Sequence, residues 1–569
     1  MDSGMVKNNA LLRGMLNFFL DYPIDKHIAM CGSLLLIIFI FVPFIQLIYL
    51  VFFSSSALEG NIYFSSLMNN YFLSRLWFTT YQAMISVGAS LLIGLPAAYI
   101  FYRIDFPFKN ILLTFATIPF ILPVVVVGLA FKELFGTNGL INYILNFLHF
   151  SSINLQGTIW LIILAHVYYN IPIIIRIVGT HLQRIHQDYD DASSLLGAGN
   201  FRKLISIYFP LLISPILSSA LLVFLFCFTS FGIVLILGNY RFDTIEVVIY
   251  RFTTGLFNLQ EAMSISIFQI IFCVLVFALY SKMNSFIKSN SITTKTHFTK
   301  INELKFIKKM FVVVFILFIC IFTFLPVGVL FFQAFTINSS NFITFQNFIT
   351  LFTDTGNFSY ISPINAICWS IVLAIFSSLF AAIISFFSAS YIDRKSHKLK
   401  SLFGTLYVMP LMIPAITLSI GLIITFNKSF IDLRHSVVLL IIAHTLLAIP
   451  FLYYLSILAI NSIPKDIKDA CLLLGCNRNK VSYKIYLPIA RNYILTGIIF
   501  SFGISLGEFG SASMLRGSNF YTIPLAIYQF LSHPGSINLG NAFALSVLLV
   551  MISFIIFYVI EKFKLSIFS

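Results

Sequence analysis

The sequence predicts an all-α integral membrane protein of about twelve transmembrane helices, arranged as two parallel six-helix repeats. Three observations carry this. Apolar residues come in blocks of membrane length, lysine and arginine alternate between connections, and one polar segment occurs twice at a fixed spacing. Hydrophobic residues make up 59% of the 569 and charged residues 10%. Average soluble domains hold about 45–50% and about 25%, so this chain has too few polar residues to coat a soluble surface.

The first repeat is expected to place spans near 28–53, 78–101, 111–131, 157–178, 211–238 and 263–281. The second is expected to place them near 309–333, 364–390, 401–426, 436–459, 492–515 and 541–560. Residues 28–53 carry no charge and 436–460 only His444. About 20 apolar helical residues cross the hydrocarbon core, whereas barrel strands would show short alternating segments. The first block is too long for a signal-peptide core and no small-residue cleavage site follows it. It is therefore read as a retained anchor.

Formal net charge is +15. The 282–309 connection holds Lys282, Lys288, Lys295, Lys300, Lys305, Lys308 and Lys309, and 391–400 holds Arg394, Lys395, Lys398 and Lys400. The 334–362 connection holds neither Lys nor Arg. This is the positive-inside pattern. It predicts cytoplasmic termini and a cytoplasmic 282–309 segment, and it explains the charge by the lipid bilayer without nucleic acid. Of seven cysteines, Cys31, Cys227, Cys273, Cys320 and Cys368 lie in apolar spans, where Cys acts as a small hydrophobe. No CxxC pair suggests a zinc site or a disulfide framework.

The duplicated segment is "DASSLLGAGNFRKLISIYFP" at 191–210 and "DACLLLGCNRNKVSYKIYLP" at 469–488. Ala165-His166 recurs as Ala443-His444, Phe231-Gly232 as Phe509-Gly510, and Tyr250 as Tyr528. The spacing is constant: 443−165, 488−210 and 528−250 all equal 278. Upstream, "IPFILP" at 118–123 resembles "MPLMIP" at 409–414. Pro123 precedes His166 by 43 residues and Pro414 precedes His444 by 30, so the first copy carries 13 extra residues in an outward-facing connection. The repeats are read as 1–281 and 309–569, joined by a basic linker over 282–308. Six spans per repeat is an even number, so both enter from the same side, which suits a pathway between halves.

Locally, Asp191-Ala192 begins a short helix with Leu195 and Leu196 as its apolar contacts. Gly197 is a natural stop in the left-handed conformation. Arg202 to Tyr208 reads as a second short helix, and Pro210 opens the next span, where its missing N–H is harmless. The expected result is a cytoplasmic helix–turn–helix elbow over 185–210, repeated over 463–488. A plain loop is the alternative, and the in-register second copy favours the elbow.

The segment resembles the "EAA" loop of bacterial ABC-importer permeases: E-A-A, three residues, Gly, nine residues, then I-x-x-P. Both copies keep that spacing through Gly197, Ile207 and Pro210 and through Gly475, Ile485 and Pro488. Asp191 and Asp469 stand for Glu, Ala192 and Ala470 match, and Ser193 and Cys471 replace the second Ala. The resemblance implies the type I ABC-importer permease fold. It also implies that two copies of a cytoplasmic ABC ATPase, carrying ATP and Mg, dock on the two loops, and that a periplasmic or extracytoplasmic substrate-binding protein delivers cargo. It places the chain in a bacterial inner membrane. "CFTSFGIVLILGNYRFDTIEVVIYR" at 227–251 and "SLGEFGSASMLRGSNFYTIPLAIYQ" at 505–529 are most similar to the thiamine-type permease, with the ferric-iron type as the alternative.

No GxxxxGK[ST] loop and no HExxH occurs, so the chain is expected to bind no nucleotide or metal itself and to be no enzyme. A gradient-driven carrier is the competing class, since twelve spans in two halves suit it too. "YRIDFPFKN" at 102–110 lacks the Gly- and Arg-rich pattern such carriers show there. A membrane enzyme is a more distant reading. Candidate substrate-path residues are Ser230, Phe231, Glu508 and Phe509. If its span starts near Tyr493, Glu508 lies about 22 Å along the helix. It then meets a cationic cargo with Phe509, or it caps and locks helices beside Gly507 and Gly510; the second reading is the plainer. His166 and His444 suit either iron binding or hydrogen bonding between helices, and the latter is preferred.

Overall fold

The computed structural model describes residues 24–53, 62–137, 139–288, 299–337, 340–353, 362–427, 432–433, 436–473, 481–517 and 520–568. It is helical nearly throughout. Among the described residues, ten helices are long and apolar enough to cross a membrane, and twelve spans result if each of two bent pairs counts as one. The expected spans 78–101, 157–178, 364–390 and 436–459 correspond to Asn70–Arg103, Ile159–Gln183, Pro363–Asp393 and Val437–Asn461.

The spans expected at 111–131 and 401–426 are not straight. Lys109–Phe120 and Val124–Leu134 meet at 98°, and Lys398–Met412 and Ala415–Phe426 at 100°. The break falls on the repeated proline motifs. A 3-10 turn over Ile118–Phe120 leads to Pro123, and one over Met409–Met412 leads to Pro414. Pro123 and Pro414 are both extended and cap the following helix, with φ −60°, ψ 138° and φ −62°, ψ 148°. A proline biases the residue before it away from the helical region, so one helix stops and another starts.

The expected 211–238 and 492–515 also change. Their helices are Phe201–Phe228 and Ser482–Gly507, each starting about ten residues earlier than expected and stopping before a short separate helix, Gly232–Leu237 or Gly510–Leu515.

The chain packs as two compact units. One comprises the described residues of Tyr49–Ile364 and Ile523–Phe554; the other those of Met1–Ile48, Asn365–Thr522 and Ile555–Ser569. These units do not follow the sequence repeats. The helix Phe306–Ala334, first of the second repeat, packs with the first repeat, where Tyr168 donates 3.0 Å to the Thr323 carbonyl. Most of Asp25–Phe53 packs with the second repeat, where Tyr407 Oη lies 3.1 Å from Ser33 Oγ and donates 3.1 Å to the Ala29 carbonyl.

Small residues set the spacing inside each unit. Along Pro363–Asp393, Ser377, Ser378, Ala381, Ala382, Ser385, Ser388, Ala389 and Ser390 are all buried. Such residues let backbones approach and hydrogen-bond in lipid, where no hydrophobic force joins helices. In the other unit Gly94 allows the close approach of Ile159–Gln183, since a Cβ there would sit 2.8 Å from Ile174. The 282–308 linker begins as the end of the helix Leu259–Lys288. Its described end forms a two-residue parallel pairing, Thr299–Lys300 against Ile104–Asp105.

Candidate functional site

The first elbow has the geometry its sequence demands. The helix Gln187–Leu195 starts at His186, whose ring accepts from the Asp188 N–H at 3.4 Å. It ends on Gly197 at φ +73°. The Ala198 N–H reaches the Ser193 carbonyl at 2.9 Å and the Gly197 N–H the Ser194 carbonyl at 3.0 Å. These two bonds make a Schellman cap, which needs a left-handed residue that only glycine adopts without strain. Asp191 and Ala192 are exposed on this helix.

Beyond the turn, the structure corrects one expectation. Arg202 to Tyr208 is no separate helix; it is continuous with the span Phe201–Phe228. Pro210 therefore sits inside a long helix. Continuity is kept by a π-turn over Leu204–Tyr208, in which the Phe209 N–H bonds to the Leu204 carbonyl five residues back. A π-turn shifts the hydrogen-bond ladder where proline lacks its donor. The second copy does the same. Ser482–Tyr486 is a π-turn, the Leu487 N–H bonds to the Ser482 carbonyl, and Pro488 follows. Ile207 and Ile485, within the turns, are half-buried, and Pro210 and Pro488 are exposed.

The second elbow helix is Lys465–Leu473, with Asp469 and Ala470 exposed. Gly475 lies outside the described residues. Leu195 and Leu473 hold equivalent positions (473−195 = 278) and both are 89% exposed. Leu196 is 86% exposed. Leu195 and Leu196, named from sequence as the apolar contacts of the short helix, are exposed in the chain alone. With Leu473 they project outward at the tip of each elbow. The signal was in the sequence as the repeated Leu-Leu before each glycine.

The candidate path residues are placed as follows. Ser230 is buried; its Oγ lies 2.9 Å from His166 Nε2 and its carbonyl accepts from Thr244 at 2.8 Å. Phe231 and Phe509 are buried, and Phe231 packs edge-on against Tyr250 at 5.1 Å. Glu508 is partly exposed, and its Oε1 accepts from the Ser511 N–H at 3.0 Å, capping Gly510–Leu515. Because its helix starts at Ser482 and not near Tyr493, Glu508 lies about 39 Å from the helix start, at its far end.

Both histidines join helices through serines. His166 Nδ1 lies 3.2 Å from Ser86 Oγ, so the ring joins Asn70–Arg103 to the break that follows Phe228. His444 Nδ1 lies 2.7 Å from Ser505 Oγ, which in turn accepts from Ser377 at 3.1 Å. Besides Asp25, two buried acids escaped the sequence reading. Glu246 accepts from Gln269 at 3.1 Å. Asp243 pairs with Arg251 at 2.8 Å; burial raises its pKa and the arginine pulls it back. Their apolar setting, "FDTIEVV", gave no periodic signal.

The chain is similar in sequence to known transport proteins. A family model described as "Binding-protein-dependent transport system inner membrane component" matches twice, over 90–285 and 383–564. The thiamine transport system permease protein ThiP of Haemophilus influenzae is 24% identical over 482 residues, covering 84% of this chain and 87% of that protein. ThiP of Salmonella typhimurium is 23% identical, covering 86% and 89%. The ferric transport system permease protein FbpB of Actinobacillus pleuropneumoniae is 24% identical over 397 residues, covering 68% and 56%. A chain from the crystal structure of a bacterial alginate ABC transporter, in complex with an alginate pentasaccharide-bound periplasmic protein, aligns with a TM-score of 0.39 and 14% identity, over 51% of this chain and 99% of that one.

Proposed function

Because the chain belongs to the family of inner membrane components of binding-protein-dependent transport systems and is an ABC-importer permease subunit, we propose that it imports thiamine or a thiamine phosphate. Family membership sets the gradient-driven carrier aside. In this reading one chain supplies both pore halves, 1–281 and 309–569, with 282–308 as the cytoplasmic linker. Two copies of a separate ATPase seat on 185–210 and 463–488, and a binding protein delivers cargo on the opposite face. The observation that carries the docking is the pair of elbows, each with an exposed leucine tip and a π-turn before its proline. ATP-driven closure of the ATPases pushes both elbows together and reverses the access of the cavity.

Thiamine rests on length as well as likeness. The thiamine relatives named above align along 87% and 89% of their own length, and ferric relatives along 56% and 76%. Ferric iron is the second reading, since identity to the two kinds is equal at 24%. Proteoliposomes holding this chain, its ATPase and its binding protein decide it: ATP-dependent uptake of labelled thiamine supports the reading, and uptake of ferric iron alone replaces it. Reporter fusions test the orientation, with 282–309 expected in the cytoplasm and 334–362 outside.

A further inference from the structure

We propose that the helix Leu140–Phe147 is an interfacial anchor, whose apolar stripe lies in the bilayer where headgroups meet acyl chains, on the face opposite the first elbow. It lies between Pro123 and His166, where the first copy exceeds the second by 13 residues. A helix of 8 residues is about 12 Å long, far short of a span. Its orientation is inverted for a helix packed on protein. Leu140, Tyr143, Ile144 and Phe147, with Leu148 just past the end, follow the i, i+3, i+4, i+7, i+8 spacing of one apolar face. All five are exposed, Tyr143 at 71% and Phe147 at 76%. The inward side carries Asn142, 2% exposed. Asn142 Nδ2 donates to the Gly136 carbonyl at 2.7 Å and to the Ile153 carbonyl at 2.9 Å, and Oδ1 accepts from the Ile153 N–H at 2.8 Å. Gln156 donates 3.1 Å to the Lys132 carbonyl. The helix is thus clasped to the end of Val124–Leu134, the second arm of the first bent span.

Continuity with the lipid-facing surface says what covers the stripe. The spans Asn70–Arg103 and Ile159–Gln183 both end beside the first elbow, where Arg103 donates 3.3 Å to the Ile185 carbonyl. Trp77 and Trp160 lie toward the other ends of these spans, about 39 Å and about 35 Å back along the helices, and both are exposed. Trp77 stacks there with Tyr81 at 6.3 Å. Tryptophan and tyrosine mark the level at which a bilayer meets water. The connection that carries Leu140–Phe147 leads directly into Trp160, so its stripe continues that level. A docked protein would meet a polar rim around an apolar centre. From Phe135 to Thr158 the chain holds no Asp, Glu, Lys or Arg, so the connection offers no charge for such a rim. Its hold on the bilayer comes from apolar area and aromatic rings, not from lipid charge. Through Asn142 that hold passes to the Val124–Leu134 arm.

The test uses the full chain in nanodiscs of phosphatidylcholine carrying bromine on its acyl chains. Phe147→Trp is placed in a background of Trp77→Phe, Trp160→Phe and Trp369→Phe. Bromine high on the chain is expected to quench the emission about twofold or more, and bromine near the chain end far less. Aqueous acrylamide is expected to quench little. Phosphatidylglycerol brominated in the same way is expected to give the same result. Should the background not fold, the quenching is read as the difference between Phe147→Trp and the unaltered chain. Emission quenched by acrylamide and untouched by bromine overturns the anchor. Shielding that appears only when the substrate-binding protein is added overturns it too, and assigns the stripe to that partner. Quenching that needs phosphatidylglycerol overturns an anchor without charge. Amide hydrogen exchange tests the hold on the arm: Tyr143→Asp with Phe147→Asp is expected to speed exchange over 124–134 about threefold, leaving 415–426 unchanged. Unchanged exchange over 124–134, or an equal rise over 415–426, overturns that hold.

Discussion

In the first elbow the helix Gln187–Leu195 is tied to two spans by Asp190, and Leu195 projects from its end. In the second, Lys465–Leu473 presents Leu473 to the same extent, and Arg394 at its base pairs with Asp25. What the halves share is the face turned outward and the π-turn beneath it. What they do not share is the acid that the matching arginines meet, Asp190 for Arg103 and Asp25 for Arg394. Under the proposed docking, sharing belongs to the surface that two copies of one ATPase would grip. Difference belongs to the anchoring, because each half meets a different set of helices.

The largest expected effect tests the shared part. Leu195→Asp with Leu473→Asp places a charge on each tip, and hot-spot truncations cost about 2 kcal/mol or more each. The double variant is expected to lose ATPase co-purification and uptake while thermal unfolding of the membrane bundle stays unchanged, since both side chains are exposed in the chain alone. Retained co-purification would break the equivalence of the two tips.

The next effect tests the unshared part. Asp25 is buried against Arg394, with 2% of its side chain exposed. Removing one member of a buried pair leaves the other charge uncompensated, at about 3–5 kcal/mol. Asp25→Ala is expected to lower the thermal midpoint of the purified protein markedly. Asp190→Ala, at a carboxylate 28% exposed, is expected to lower it far less, by about 1 kcal/mol or below. Equal losses would mean that the two bases are anchored alike.

A smaller effect belongs to the turn. Gly197→Val forces a β-branched residue to φ +73°, which costs about 1–2 kcal/mol. Space is not the obstacle, because a Cβ there meets nothing within 4 Å. Weakened ATPase binding with the bundle still inserted is expected, and Gly197→Asn, which tolerates the left-handed region, is expected to recover most of it. Normal binding by the valine variant would remove the cap from the docking surface.

The first turn was legible because Gly197 reports a backbone need directly, whereas the I-x-x-P spacing did not reveal the π-turn that carries the helix through it. The spans were legible from length and hydropathy. The breaks at Pro123 and Pro414 were not, because both arms of each bent span are apolar and a window sums across them. The early start at Ser482 was hidden by Lys484 and Arg491, which read as a loop edge. Tyr407 meeting Ser33 had no trace at all, since contacts 374 residues apart leave no local pattern. Nor did the pairing of Arg394 with Asp25, although Arg103 and Arg394 stand at matching places in the sequence.

The smallest expected effect concerns Glu508 and its first-half counterpart Ser230, a pair at which the copies differ in charge. Ser230 is occupied by His166 and Thr244 inside its unit. Glu508 caps Gly510–Leu515 through the Ser511 N–H, and part of its surface remains open. A cap needs only an acceptor oxygen. Glu508→Gln keeps that oxygen and should change stability by less than about 1 kcal/mol, whereas Glu508→Leu leaves the Ser511 N–H without its partner and should cost about 1–2 kcal/mol. Uptake of cargo separates the cap from a contact with a cation. If the cap is the whole role, the Gln variant transports normally and only Leu falls. If a positively charged cargo passes the open side of the carboxylate, Gln alone lowers uptake while the thermal midpoint and ATPase retention stay at the wild-type values.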